Sequence, residues 1–500
     1  MLKQYFRVLD LLSNKQLKEA RVEINALPSD SFLYCLLMSL YYEFSQQYSQ
    51  STDFAKKAWD YEPKSVLETL MALSRILSSY FHVGKYDDAL NILGTMPELD
   101  PKEETIYWIH SIRNTEAMLL LEKGVIDEGI QKAEVAVTLA EKMNNKRKLG
   151  HSLNTLSIGL EWAGKIDAAK KTYLRTLQIK KEVGDEIGYA NTLCNLGALM
   201  SNLEDPRESE GMYLEALKIY QKHERTNQVA KVHELLGFIK NKIGDQNAAL
   251  SNYRQALLFA QQLDNEHLKA NALKNVISCL IGMNRMEEAE TLFPLLQQVV
   301  ENEGFTDLLP SLTLLEALIY KKKPRAANKI RAQELFRSLL QHPKNYEITL
   351  TALTNLIDLY IIEWESYSTE EDKEIVANEL QTSLGLLEEQ ISEYDSKGLL
   401  AEFLFLKGKI YCMWGNLGEG RQFLHQAHHL AVAENWKRLE NKIQTTLQAI
   451  DQNADRISLN SISTSVPELT NHYPSTLSSL KETQVNRFYE ALDKRFHERR

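Results

Sequence analysis

Four glycines recur at a fixed interval. Gly84, Gly124, Gly164 and Gly244 stand in the phrases HVGKYDDAL, EKGVIDEG, WAGKIDAA and KIGDQNAA, spaced by 40, 40 and 80 residues. The skipped position falls in NLEDPRES, and continuing the register reaches Asn284 and then Pro324. Five residues after the turn stands a small residue: Ala89, Gly129, Ala169, Ser209, Ala249 or Ala289. Four residues later comes a bulky one, Leu93, Tyr173, Tyr213, Tyr253 or Phe293, with Ala133 as the exception. Small residues return at Ala136, Thr176, Ala216 and Ala256, and seven residues before the turn at Ser157, Gly197 and Gly237. A fixed period of this kind marks a tandem array, in which each unit buries its apolar face only against its neighbours.

Helix packing explains the residue types. Two helices approach closely only where side chains are small, and a large side chain one turn later fills the neighbouring groove. The turn position suits glycine because a left-handed backbone carries no steric penalty there. With only 11 prolines and 21 glycines in 500 residues, long uninterrupted helices are favoured over sheets and turns. The chain is therefore expected to be all-α.

The small–turn–small–aromatic–small order of Gly237, Gly244, Ala249, Tyr253 and Ala256 resembles the tetratricopeptide repeat. The resemblance extends over roughly residues 1–450 and implies a right-handed superhelix of antiparallel helical hairpins. The period exceeds the usual ~34 residues, and the additional residues are expected around the turn between repeats. Long repeats of this type are similar to those of kinesin light chains and of the maltose-regulon activator's sensor domain.

The ends depart from the 40-residue register. The first hairpins, ending near Pro28, Pro63 and Pro101, fit shorter repeats, so residues 1–104 are set apart from a long-period array over 105–451. Late in the chain Trp364 keeps the register, but the next turn glycine is Gly415, 51 residues on. An insertion is expected in a loop over 366–374. Residues 452–480 are rich in Ser and Thr and read as a flexible linker. Over 481–500 an amphipathic helix is expected, started by Ser479 and Glu482 and carrying a stripe of Val485, Phe488, Tyr489, Leu492 and Phe496. It is suited to docking on protein, including the chain's own groove.

Composition narrows the function. A formal net charge of −10 disfavours nucleic acid as a partner. No run of 18 apolar residues occurs, and Lys3, Arg7 and Asp10 interrupt the opening apolar pattern, so neither a membrane span nor a signal peptide is expected. Cys35, Cys194, Cys279 and Cys412 are far apart with no metal-ligand spacing, which suits free thiols in a reducing, cytoplasmic setting. There is no phosphate-binding glycine loop and no nucleophile elbow. His425 and His429 share a helical spacing, but a solvated face is the better reading. Neither a cofactor nor catalysis is expected.

The tetratricopeptide resemblance implies that the first helix of each hairpin lines an inner wall that takes peptides or helices. Counting Ala190 as the first place of a repeat, the wall places are the second, fifth, sixth, ninth, twelfth and thirteenth. They hold Asn154, Asn191, Asn195, Asn271, Asn275 and Asn355, with Lys231 and Lys274 nearby. Asparagine both donates and accepts, so it can pair with a peptide backbone irrespective of sequence. The lysines suit an acidic ligand. The family's two-carboxylate clamp, lysine at the fifth place with asparagine at the ninth, is absent: Lys274 is followed by Ser278. The expected function is a non-catalytic scaffold binding a protein or peptide partner. The alternative is a sensor that controls a bound effector.

Overall fold

A computed structural model describes residues 1–452, apart from short stretches at 14–15, 46, 63, 95–100, 204–205, 264, 342–345, 393–396 and 434–436. The linker and amphipathic helix expected after residue 452 lie outside the described residues, and so does self-docking by that helix. Every regular element among the described residues is an α-helix.

The period of 40 resolves into a pair of helices of near-equal length. Lys146–Trp162 and Ile166–Glu182 each have 17 residues, and so do Gln246–Gln262 and Glu266–Gly282. The expected turn positions are left-handed, with φ of +73° at Gly84, +77° at Gly124, +72° at Gly164, +93° at Gly244 and +83° at Gly415. Asn284 takes the same conformation at +58°. A second left-handed series closes the turns between repeats, at Asn144, Gly184, Glu224 and Gly304. Some helix starts between repeats are capped by asparagine. Asn145 Oδ1 accepts from the Lys148 amide at 3.1 Å, and Asn265 Oδ1 from the Leu268 amide at 2.9 Å. Each satisfies a backbone N–H that has no partner within its helix.

The small-against-aromatic rule is met at the places marked by the sequence. A Cβ on Gly237 would stand 2.6 Å from the Tyr253 ring, and one on Gly197 would stand 2.8 Å from the Tyr213 ring. Tyr173 and Tyr213 are fully buried. Full burial of a side chain of this size contributes on the order of 2–3 kcal/mol.

The insertion is not a loop. The helices Tyr346–Ser366 and Glu370–Ser392 have 21 and 23 residues, so Glu370–Glu374 is helical. Thr369 explains the correction. Its hydroxyl oxygen accepts from the Asp372 amide, and Glu370, Glu371 and Asp372 fill a first turn that favours negative charge. The added residues lengthen both helices of one hairpin.

The chain divides into two compact units, Met1–Leu196 and a second beginning at Gly197. In the first, Leu36, Leu37, Leu73, Ile76, Trp108 and Ile112 belong to one buried cluster. In the second, Leu273, Ile277 and Leu296 form one cluster, and Phe336, Leu353 and Phe403 belong to the next.

Candidate functional site

In the first unit Asn154 is half-buried and its Oδ1 accepts from the Thr192 hydroxyl at 3.0 Å. Asn191 is exposed and Asn195 is half-buried.

In the second unit four predicted residues lie on two first helices, Thr226–Ile243 and Glu266–Gly282. Lys231 is exposed on one, and Asn271, Lys274 and Asn275 are half-buried on the other. Lys274 Nζ donates to Asn271 Oδ1 at 3.2 Å, and Asn271 Nδ2 donates to the His267 carbonyl at 3.2 Å. Both groups of the Asn271 amide are thereby engaged. His267 Nε2 lies 3.1 Å from Asp307 Oδ2 at the start of the following hairpin, and the His267 ring meets the Phe305 ring edge-on at 5.0 Å.

Sequence reasoning missed Glu234, which holds a fifth wall place. Burial pushes its carboxyl above the ordinary range, against the opposing pull of Lys274, Lys231 and His267. Its Oε1 is buried with no hydrogen-bond partner. A buried acceptor left unpaired costs on the order of 1–3 kcal/mol, so a donor brought to it gains that much in compensation. The signal was in the sequence: a carboxylate at a fifth place, facing a lysine at the fifth place of the next repeat.

Asn355 is not part of this group. Its Oδ1 accepts from Lys321 Nζ at 2.8 Å, and its Nδ2 donates to the Thr351 carbonyl at 2.7 Å. Lys321 also pairs with Asp358 at 2.7 Å, both side chains being only about 15% exposed. Burial lowers the Lys321 pKa, and Asp358 opposes that shift. Here a twelfth-place residue ties to the sixth and ninth places of the next repeat.

The same contact occurs with inverted charge near the start of the first unit. Glu43 pairs with Arg75 at 2.5 Å and accepts from the Ser78 hydroxyl at 3.1 Å. Arg75 and Ser78 are the sixth and ninth places counted back from Gly84. Burial opposes ionisation of both Glu43 and Arg75, but their pairing wins, holding the carboxyl below and the guanidinium above the ordinary range. Reading each twelfth place against the following sixth and ninth would have found both pairs.

His425 and His429 are exposed. No group of three metal-ligating side chains occurs among the described residues. No described helix is long and apolar enough to cross a membrane. Cys35, Cys279 and Cys412 are buried free thiols, and burial raises their pKa values.

Residues 148–222 match the family model for the tetratricopeptide repeat. Over these residues the chain is similar to the tetratricopeptide repeat. The matched stretch covers two of the 40-residue turn positions, Gly164 and the skipped one near 204. Response regulator aspartate phosphatase A of Bacillus subtilis (strain 168) is 25% identical to this chain over 201 residues, 40% of this chain and 50% of that protein. The chain thus spans about half the length of the curated relative it matches. A Rap protein solved in complex with competence and sporulation factor is 13% identical, with 73% of this chain and 100% of that one covered at a TM-score of 0.49. The apo form of the quorum sensor NprR from B. thuringiensis is 13% identical, with 77% and 98% covered at a TM-score of 0.48.

Proposed function

We propose that this chain is a non-catalytic scaffold that binds a peptide or helix of a partner protein on its first-helix wall. The observation that carries the reading is the group Lys231, Glu234, Asn271, Lys274 and Asn275. It offers donors and acceptors from two adjacent first helices, including the buried, unpartnered Glu234 Oε1. Such a set suits an extended backbone, whose N–H and C=O groups need partners of both kinds. Asn154, Asn191 and Asn195 supply the same chemistry in the first unit. Asn271 and Asn355 contribute less, because protein groups already occupy both sides of each amide.

Affinity capture with mass spectrometry tests this directly. The full chain should retain a defined partner, and a Lys274→Ala, Asn275→Ala double variant should retain it at least tenfold more weakly. Equal retention by the double variant removes this group from the reading.

A second reading has one observation in its favour, the 25% identity to a response regulator aspartate phosphatase. It makes the chain a regulator of a bound effector. Incubation with a phosphorylated response regulator separates the two: a shortened aspartyl-phosphate lifetime supports the regulator, and an unchanged lifetime leaves the scaffold.

A further inference from the structure

The helix Leu2–Ser13 makes contacts beyond its neighbours in the stack. Its Tyr5 ring meets Trp108 edge-on at 4.9 Å, and Phe6 meets Tyr107 edge-on at 5.2 Å. Trp108 belongs to Ile106–Glu122, and the first helices Phe32–Phe44 and Val66–His82 come between in the stack. Packed helices lie about 8–10 Å apart, so a helix stacked in sequence order would stand roughly 25–30 Å from Ile106–Glu122. Leu2–Ser13 packs beside Phe32–Phe44, and contact at 4.9 Å shows that its aromatic side chains also reach past both intervening first helices.

What it covers is wall. Tyr5 is 3% exposed and sits within electrostatic reach of Arg75, Tyr107 and Glu43. Glu43 and Arg75 hold the twelfth-to-sixth contact described above, so the helix lies over the places that a ligand would use. Its apolar stripe Tyr5, Val8 and Leu12 is buried with the wall residues Leu36, Leu37 and Met71 in one cluster. Its polar ties are slight. Arg7 pairs with Glu23 at 2.5 Å, but the Arg7 side chain is 72% exposed, and such surface pairs hold weakly. The Arg75 Nε beneath is buried with no hydrogen-bond partner.

We propose that Leu2–Ser13 is a displaceable latch on a helix-binding site formed by the first hairpins. The external occupant of that site is an amphipathic helix of the same pattern: an adjacent aromatic pair, with apolar residues three and seven places after the first aromatic. Such a helix reproduces the contacts of Tyr5, Phe6, Val8 and Leu12 and competes with the latch. The apparent affinity for it scales with the fraction of molecules whose latch is open. This proposal does not rest on the asparagine-bearing wall.

The probe is a labelled peptide of residues 1–13, titrated against the full chain and followed by fluorescence anisotropy. The peptide should bind Phe6→Ala at least tenfold more tightly than the wild type, because Phe6 is partly exposed and its loss loosens the latch. Adding Trp108→Ala to that variant should abolish the gain. Equal binding to wild type and Phe6→Ala, or binding no better than that of a scrambled peptide, overturns the proposal. Hydrogen exchange on the unmodified chain gives a readout free of folding defects. Excess peptide should speed exchange in Leu2–Ser13 and leave Thr226–Gln262 unchanged. No acceleration at high peptide concentration also overturns it.

Discussion

Glu161 shows how much a single buried group can decide. It is 9% exposed, and the Tyr173 hydroxyl donates to its Oε2 at 2.7 Å. Burial raises its pKa from the ordinary 4.5 to about 7, only partly opposed by that hydrogen bond. The folded chain therefore holds a proton that the unfolded chain releases near pH 4.5. Stability from this site is full below pH 4.5 and falls as pH rises toward 7. Glu161→Gln should remove the dependence. Relative to the wild type it should gain about 2–3 kcal/mol at pH 8 and little at pH 4, by urea denaturation at both pH values. Gly237 makes the complementary point about size. Because its Cβ would stand 2.6 Å from the Tyr253 ring, Gly237→Ala should lower stability by about 1–3 kcal/mol in thermal or urea melts, despite alanine's better helix propensity.

At the scale of elements, ties between successive first helices repeat a rule with different chemistry. Lys321 reaches Asn355 and Asp358, whereas Glu43 reaches Arg75 and Ser78. Breaking such a pair leaves a buried charge. Asp358→Asn should cost about 3–5 kcal/mol, while Lys321→Met with Asp358→Leu should cost far less, a comparison that denaturant melts of both variants decide. Turns show a second rule. Glu224 holds a left-handed conformation at φ +53°, where Gly184 and Gly304 serve in equivalent turns. Glu224→Gly should therefore be neutral or stabilise by up to about 1 kcal/mol, measured as a shift in the urea midpoint.

For the whole molecule, an array of this kind is stabilised by each hairpin and its contacts with the next. Damage should stay local. Hydrogen exchange in Gly237→Ala should rise in Thr226–Ile243 and Gln246–Gln262, with no change in Phe32–Phe44. A uniform rise over the chain would mean that the array unfolds as one cooperative body.

The sequence determined the fold and its register. Gly84, Gly164 and Gly244 had to be left-handed turns, and Gly237 had to face Tyr253, because close helix approach leaves few residue types that fit. Those constraints are local or lie within one hairpin, so they are written at fixed spacing. Only the tertiary structure decided how the side chains at these places pair. Asn271 and Asn355 both fall on wall places, yet one joins Lys274 beside Glu234 and the other is held by Lys321. That difference depends on side chains contributed by the preceding repeat. The contact of Tyr5 and Phe6 with Trp108 and Tyr107 was likewise invisible, because a contact between residues about 100 positions apart leaves no period in the chain.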